Sequence, residues 1–338
     1  MQVIKTEYVL RDQLLQVMMD NESDMYITET YPAIKIEIIK IDEIQKLTWK
    51  DTMEFAQSII TENQYNYLVK EKNLDFAFSF NRRFRVNVSF QMSKYMVVIR
   101  LLNKIPTLEN LNLPDIYKNI TKLQLVLVTP TSGKSTTLAA MINYINQNYF
   151  KHIITIEDPV EYLHPHAKSI VEQKEIKDVP NYEIALAAMR QNPQVILFEM
   201  RTTREMEMAL TLAETHLVFS TLHTRSAYQT ISRIIDSFES QQNQVRLQLA
   251  DTLQAVFSQR LLKTQNGSVR MVKEILVKTS AVSNLIREND LHQIPSVMQM
   301  GSREMQILEK DIIDLINSTI SEEELKYANN PKIIKERI

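Results

Sequence analysis

The chain has 338 residues, enough for two ordinary domains, and its 44% apolar and 24% charged content is that of a soluble globular protein. A formal charge of −2 gives no broad basic field to favour nucleic acid, and the absence of cysteine excludes disulfides and thiolate metal sites. No apolar run approaches the roughly 18 to 20 residues that span a bilayer, and MQVIKTEYVLRDQL lacks the apolar core of a signal peptide, so a cytoplasmic location is the expectation. Glycine is the anomaly. Only 3 residues are Gly, where average usage near 7% predicts about 24. Turns that need positive φ must be built largely without it.

Residues 1–103 read as an α+β domain. A helical opening segment is followed by residues 31–41, whose alternation suggests a strand with one wet face. Residues 48–69 read as a helical stretch that Thr48 or Asp51 could cap. Residues 76–80 (FAFSF) and 84–90 (FRVNVSF) alternate with period two and suggest a hairpin around Asn81-Arg82-Arg83, although the turn has no Gly. Residues 95–102 are a further strand. Residues 104–114, with two prolines, read as a linker.

From residue 115 to 338 the pattern is strand alternating with helix. Strands are expected at 125–129, 152–156, 194–198 and 217–221, and helices at 135–148, 182–191 and 206–214. Apolar strands separated by helices argue for a parallel sheet covered on both faces, hence an α/β domain. The C-terminal third reads as helical, with helices at 240–262 and 304–316. Ser321-Glu322-Glu323-Glu324 matches a capping box opening a last helix.

The ends of the four strands carry the chemistry. After LVLVT comes Pro130-Thr131-Ser132-Gly133-Lys134-Ser135-Thr136, the tail of a phosphate loop entering a helix. In such a loop Lys134 contacts the β- and γ-phosphates, the Ser135 hydroxyl ligates Mg²⁺, and the helix N-terminus supplies amide donors. The full pattern G-x-x-x-x-G-K-[ST] is not met, because its first Gly is absent. A strand–turn–helix with a polar turn is the competing reading. The second strand ends in Glu157-Asp158-Pro159-Val160-Glu161, where open α/β sheets bind ligands. These acids could hold Mg²⁺ or orient water, or simply face solvent. The third ends in Glu199, placed to polarise an attacking water or to pair with Arg201. The fourth ends in Leu222-His223, where His223 could sense a γ-phosphate or be structural.

These blocks, in this order, resemble the type IV pilus retraction ATPases, the motors of twitching motility, within the secretion ATPase superfamily. Residues 23–27 (SDMYI) with Pro32 resemble the family's opening, and residues 83–87 (RFRVN) its arginine-bearing hairpin. Residues 156–161 are similar to its aspartate box, 190–201 to its Walker B block, and 220–236 (STLHTRSAYQTISRIID) to its histidine box. Residues 281–288 (AVSNLIRE) resemble a block typical of retraction rather than extension motors. The resemblance implies a PAS-like N-terminal domain and a RecA-like P-loop ATPase domain. It implies a homohexamer with ATP between domains and subunits, acting on an inner-membrane pilus platform protein without inserting into the membrane or binding nucleic acid. Carried over, Thr131, Ser132, Gly133, Lys134, Ser135 and Thr136 bind ATP. Ser135, Glu157 and Asp158 hold Mg²⁺. Glu199 is the catalytic carboxylate, Glu161 an aspartate-box acid, and His223 a γ-phosphate contact. Arg83, Arg85 and Arg100 stabilise charge.

The departures share one form. The family's loop is G-P-T-G-S-G-K-S-T; here two of its glycines are gone. A Gly is also gone before Glu199, between Thr215 and His216, and between Glu304 and Met305, each time with the register resuming at once. Drift substitutes glycines rather than excising them singly, so the molecule is expected to carry them. If the loop is truly short, its amides cannot wrap a β-phosphate, and a non-catalytic ring subunit is the expectation. Gln194 and Thr202 replace acids usual in the family, and residues 89–92 lack an arginine that many relatives carry. A pilus-extension or type II secretion ATPase is the nearer rival, against which the missing cysteines and the 281–288 block weigh. A RecA-like nucleic-acid motor is the more distant one.

Overall fold

The computed structural model describes residues 4–21, 24–27, 33–34, 39–40, 47–91, 94–102, 104–120, 124–130, 133–176, 181–263, 269–300 and 304–316. Thr131 and Ser132 of the expected phosphate loop, and the expected capping box at Ser321–Glu324, lie outside them. The chain divides into two compact units, Met1–Lys104 with Asp158–Tyr162, and Ile105–Glu157 with Leu163–Ile338.

Unit 1 contains α1 (Ile4–Asn21), β1 (Met25–Ile27), β2 (Ala33–Ile34), β3 (Ile39–Lys40), α2 (Trp49–Ile59), α3 (Glu62–Glu71), β4 (Asn73–Phe80), β5 (Arg82–Gln91) and β6 (Lys94–Leu102). The strands form one antiparallel sheet in the order β3-β2-β1-β6-β5-β4. Alternation decides its faces: Phe84, Val86 and Val88 are fully buried while the intervening residues are not. Leu14, Leu15 and Met18 of α1, Phe55 of α2 and Leu68 of α3 complete that core.

One expectation is corrected here and another refined. Residues 31–41 hold two short strands, β2 and β3, paired antiparallel with each other, so the segment doubles back instead of running as one strand. Residues 48–69 form two helices. Thr48 and Asp51 cap α2 reciprocally, but Ile60 is extended and Thr61 starts α3 with a second capping box through Gln64. A fresh pair of satisfied N-terminal amides makes restarting the helix favourable at that point. Between β4 and β5 a single residue, Asn81, turns the chain at φ 54°. The other positive-φ residues without a glycine are Lys72, Asn112, Gln124, Asn192 and Asn289 among those described. Asparagine tolerates the left-handed region better than other side chains, so it takes over where glycine is scarce.

Unit 2 contains α4 (Ile116–Asn119), β7 (Gln124–Pro130), α5 (Lys134–Asn148), β8 (His152–Glu157), β9 (Ile170–Glu175), α6 (Asn181–Met189), β10 (Val195–Glu199), α7 (Thr203–Ala213), β11 (Leu217–Thr221), α8 (Ala227–Asp236) and α9 (Gln242–Thr252). It continues with β12 (Leu253–Lys263), β13 (Val269–Val277), α10 (Ser280–Arg287), a 3-10 turn, α11 (Ile294–Met300) and α12 (Leu308–Ile316). Its seven strands run in the order β13-β12-β7-β11-β10-β8-β9, all parallel except β13. Leu125, Val126, Leu127 and Val128 of β7 are fully buried, as a parallel strand covered on both faces requires. Within residues 104–114, where a linker is expected, buried Leu108 and Leu113 join this unit's core.

The expected helix over 240–262 is corrected. α9 ends at Thr252, and Leu253 onward is strand β12, laid parallel to β7 and antiparallel to β13. Ala255, Val256 and Phe257 are all buried. A strand buried on both faces shows no alternation, so its pattern does not distinguish it from a buried helix. The C-terminal third is therefore mixed rather than helical, and the central sheet is nearly twice as wide as the four strands expected.

Candidate functional site

The site in unit 2 is built where β7 gives way to α5. Gly133 is the N-cap of α5 at φ 79°, and a Cβ there would come 3.1 Å from Gln259 Nε2. Both the backbone conformation and the space therefore call for glycine. Gln259, buried on β12, also accepts the Thr137 hydroxyl at 2.8 Å, bracing the first turn of the helix against the sheet. Lys134 opens α5, followed by Ser135 and Thr136 in the same half-buried turn. The amides of that turn have no partner within the helix ladder and present positive partial charge.

The strand register lines up the remaining groups. Thr221 of β11 pairs with Val128 of β7 and with Glu199 of β10. These strands thus end side by side at the carboxyl edge of the sheet, where ligands bind in open α/β folds. Lys134 Nζ lies 2.5 Å from Glu199 Oε1 and 3.1 Å from His223 Nε2, while His223 Nε2 is 3.3 Å from Glu199 Oε1. Arg201 donates to the other carboxylate oxygen at 2.7 and 2.9 Å. Burial works to raise the Glu199 pKa, but the Lys134 hydrogen bond and charge, with Arg201, outweigh it and hold the carboxyl at about 2. Thr221 Oγ1, on the same edge, is buried with no hydrogen-bond partner among the described residues.

Glu157 ends β8. It follows Ile156, the register partner of Phe198, so Glu157 and Glu199 terminate adjacent strands. Its Oε1 accepts the Thr155 hydroxyl at 2.6 Å and Gln173 Nε2 at 3.2 Å. Among the described residues no group of three or more His, Asp or Glu is placed to hold a metal unaided. A hydroxyl and strand-end carboxylates do suit Mg²⁺, which keeps much of its water and takes few protein oxygens beside phosphates.

A cavity of about 630 Å³ adjoins the start of α5, lined by Gly133, Thr136, Gln259, Met271, Arg270 and Asn112 among others. That size is ordinary for a small-molecule site. Sequence reasoning missed it because β12 and β13, which wall it, were not recognised as strands.

The other expected site residues lie in unit 1. Arg85 pairs with Asp75 at 2.7 Å and with Glu161, and Arg83 donates to the Val160 carbonyl at 2.9 Å. Arg100 pairs with Asp24 at 3.3 Å. Asp158, next to Glu157 in sequence, is exposed and groups with unit 1. The arrangement thus joins Lys134, Glu199 and His223 directly, and ties Arg85 to Glu161.

The family model described as type II/IV secretion system protein matches residues 7–331. A twitching motility protein of Neisseria gonorrhoeae is 44% identical over 270 residues, covering 75% of this chain and 72% of that protein. The type IV pilus retraction ATPase PilT of Pseudomonas aeruginosa is 38% identical over 313 residues, covering 87% of this chain and 90% of that one. The crystal structure of the pilus retraction motor PilT with bound ADP superposes with a TM-score of 0.87 at 38% identity, covering 97% and 99% of the two chains. Six separated sequence blocks, the parallel sheet with the Gly-Lys-Ser-Thr start of α5, and these relatives agree, and the chain belongs to the type II/IV secretion system ATPase family.

Proposed function

We propose that this chain is an ATP-hydrolysing motor that powers type IV pilus retraction. The observation that carries the reading is the contact of Lys134, at the start of a helix fed by a buried parallel strand, with Glu199 at the end of a neighbouring strand. The likeness to retraction motors over most of both chains supports the direction of work.

In this reading the β- and γ-phosphates sit at the N-terminus of α5, held by its amides and by Lys134, with Thr131, Ser132 and Thr136 beside them. The nucleoside enters the cavity that Gly133 and Thr136 share. Ser135, Glu157 and Asp158 would hold Mg²⁺, which when bound neutralises charge on the phosphate oxygens. Glu199 orients the attacking water and takes its proton as the bond from the water oxygen to the γ-phosphorus forms and the bond to the ADP oxygen breaks. With its pKa held near 2 by Lys134, Glu199 is a poor base before ATP arrives. Drawing Lys134 onto the phosphates removes the largest of the lowering contributions and strengthens that base. His223 contacts the γ-phosphate, and Arg83 and Arg85 stabilise charge, with Glu161 holding Arg85. The working form is a homohexamer on the cytoplasmic side, peripheral to the inner membrane at the pilus base, pulling through a platform protein.

A second reading rests on one observation, the short loop with its single glycine. It makes the chain a ring subunit that binds nucleotide poorly and turns none over. Equilibrium binding of a fluorescent ADP analogue to the wild type and to Lys134→Ala separates the two. The motor reading expects binding that the variant abolishes; equal affinity in both proteins refutes it.

A further inference from the structure

We infer that Glu274, acting with Arg260, is a positioning residue for the loop that carries His223; the inference rests on the assignment of His223 to the ATP site. Ser258 and Arg260 stand two residues apart on β12, and Ser258 is the register partner of Glu274 on β13. All three side chains therefore leave the same face of the sheet. They meet the segment that joins β11 to α8. Glu274 Oε2 accepts the Ala227 amide at 2.7 Å, at the first residue of α8. Arg260 Nη2 donates to the Arg225 carbonyl at 2.8 Å, and the Ser258 hydroxyl lies 3.3 Å from the same oxygen. That hydroxyl is also 3.2 Å from the carbonyl of Thr129, in the strand that feeds the phosphate loop. From the other side Arg233 of α8 donates to the His223 carbonyl at 2.8 Å.

Both backbone groups held by this face lie within four residues of His223, whose ring is 3.1 Å from Lys134. Glu274 is 7% exposed and Glu309 of α12, which also faces it, is 4% exposed. A buried carboxylate beside a second carboxylate costs stability unless its bonds are needed. Here those bonds fix a helix start and a loop, not a core contact that an apolar side chain would supply as well.

The experiment uses the full-length protein. Steady-state ATP turnover is measured for the wild type, Glu274→Gln, Glu274→Ala, His223→Ala and the Glu274→Ala/His223→Ala double variant. Amide hydrogen exchange over residues 222–230 is read by mass spectrometry. Glu274→Ala should lower kcat on the order of tenfold or more with KM for ATP unchanged, because a small misplacement near the reacting atoms is costly. It should raise exchange over 222–230. Glu274→Gln, which still offers an oxygen to the Ala227 amide, should restore both. In the His223→Ala background the Glu274 substitution should add nothing to the loss. An equal further loss in that background, or unchanged exchange in Glu274→Ala, overturns the inference. Full turnover in His223→Ala would instead defeat the assignment of His223, while raised exchange would still uphold the clamp. If Glu274→Ala does not fold, Arg260→Met removes the donor to the Arg225 carbonyl, together with the positive charge beside Glu274, and is read by the same criteria.

Discussion

Replacing Glu199 with Gln tests the ion-pair cluster by its pH dependence. The Glu199 carboxyl stands at about 2 against an ordinary value of 4.5. At about 1.4 kcal/mol per unit, that depression is worth at most about 3.5 kcal/mol of stability. The side chain keeps 22% exposure and Arg201 keeps 48%, so solvent screening brings the figure down, to roughly 1–3 kcal/mol. The folded value is depressed, so the contribution is present above the unfolded value of about 4.5 and is lost as pH falls toward about 2. Glu199→Gln lacks it at every pH, because Lys134 and Arg201 then face a neutral amide. The assay is denaturant unfolding of nucleotide-free wild type and variant across pH. The wild type should lead near neutrality, and the gap should shrink from about pH 5 downward and close only near about pH 2. A gap of constant size through that window, or a variant more stable at pH 7, would refute the reasoning.

Lys134→Ala should lose nucleotide binding while keeping the fold; calorimetric titration with ADP checks it, and a wild-type isotherm would contradict the phosphate assignment. Burial raises the Glu274 carboxyl to about 7 from 4.5, with Glu309 adding and the Ala227 amide and Arg260 opposing. A raised folded value means stability is present below about 4.5 and lost as pH rises through about 7. Glu274→Gln should remove that decline from the unfolding profile, and a decline as large as in wild type would count against it. On α10, Val282, Ser283 and Ile286 are buried, so the whole block cannot be excised without damaging the core. Substituting its exposed Asn284 and Glu288 by Ala should spare ATP turnover and abolish retraction in a motility assay; loss of turnover would show that the face serves the fold. The intact mass should exceed that of these 338 residues by a whole number of glycine residues. Equality would mean that the phosphate loop is truly short.

The strand–loop–helix at β7 and α5 is readable because a fully buried parallel strand leaves an unbroken apolar run, and Gly-Lys-Ser-Thr begins after two further residues beyond the strand's end. Glu199 and His223 were readable by the same logic, each standing just past an apolar strand. That Lys134 meets both follows from strand order, which pairing distant in sequence decides. The β12–β13 pair was not readable. Its apolar residues show no alternation, and α9 leads into it without a Gly or Pro to mark the break. Gln259, Arg260 and Glu274 were hidden for the same reason, since each acts on a segment 30 to 130 residues away. In unit 1 the arginines stood out, but that Arg85 holds both Asp75 and Glu161 needed three dimensions.

The most direct test of the central claim is ATP turnover by purified wild type and Glu199→Gln, with Mg²⁺ present and nucleotide affinity measured on the same samples. The account predicts turnover by the wild type, and a variant that binds ATP at least as tightly but hydrolyses it orders of magnitude more slowly. A wild type that neither binds nor hydrolyses ATP, or a variant that turns over at the wild-type rate, would contradict it.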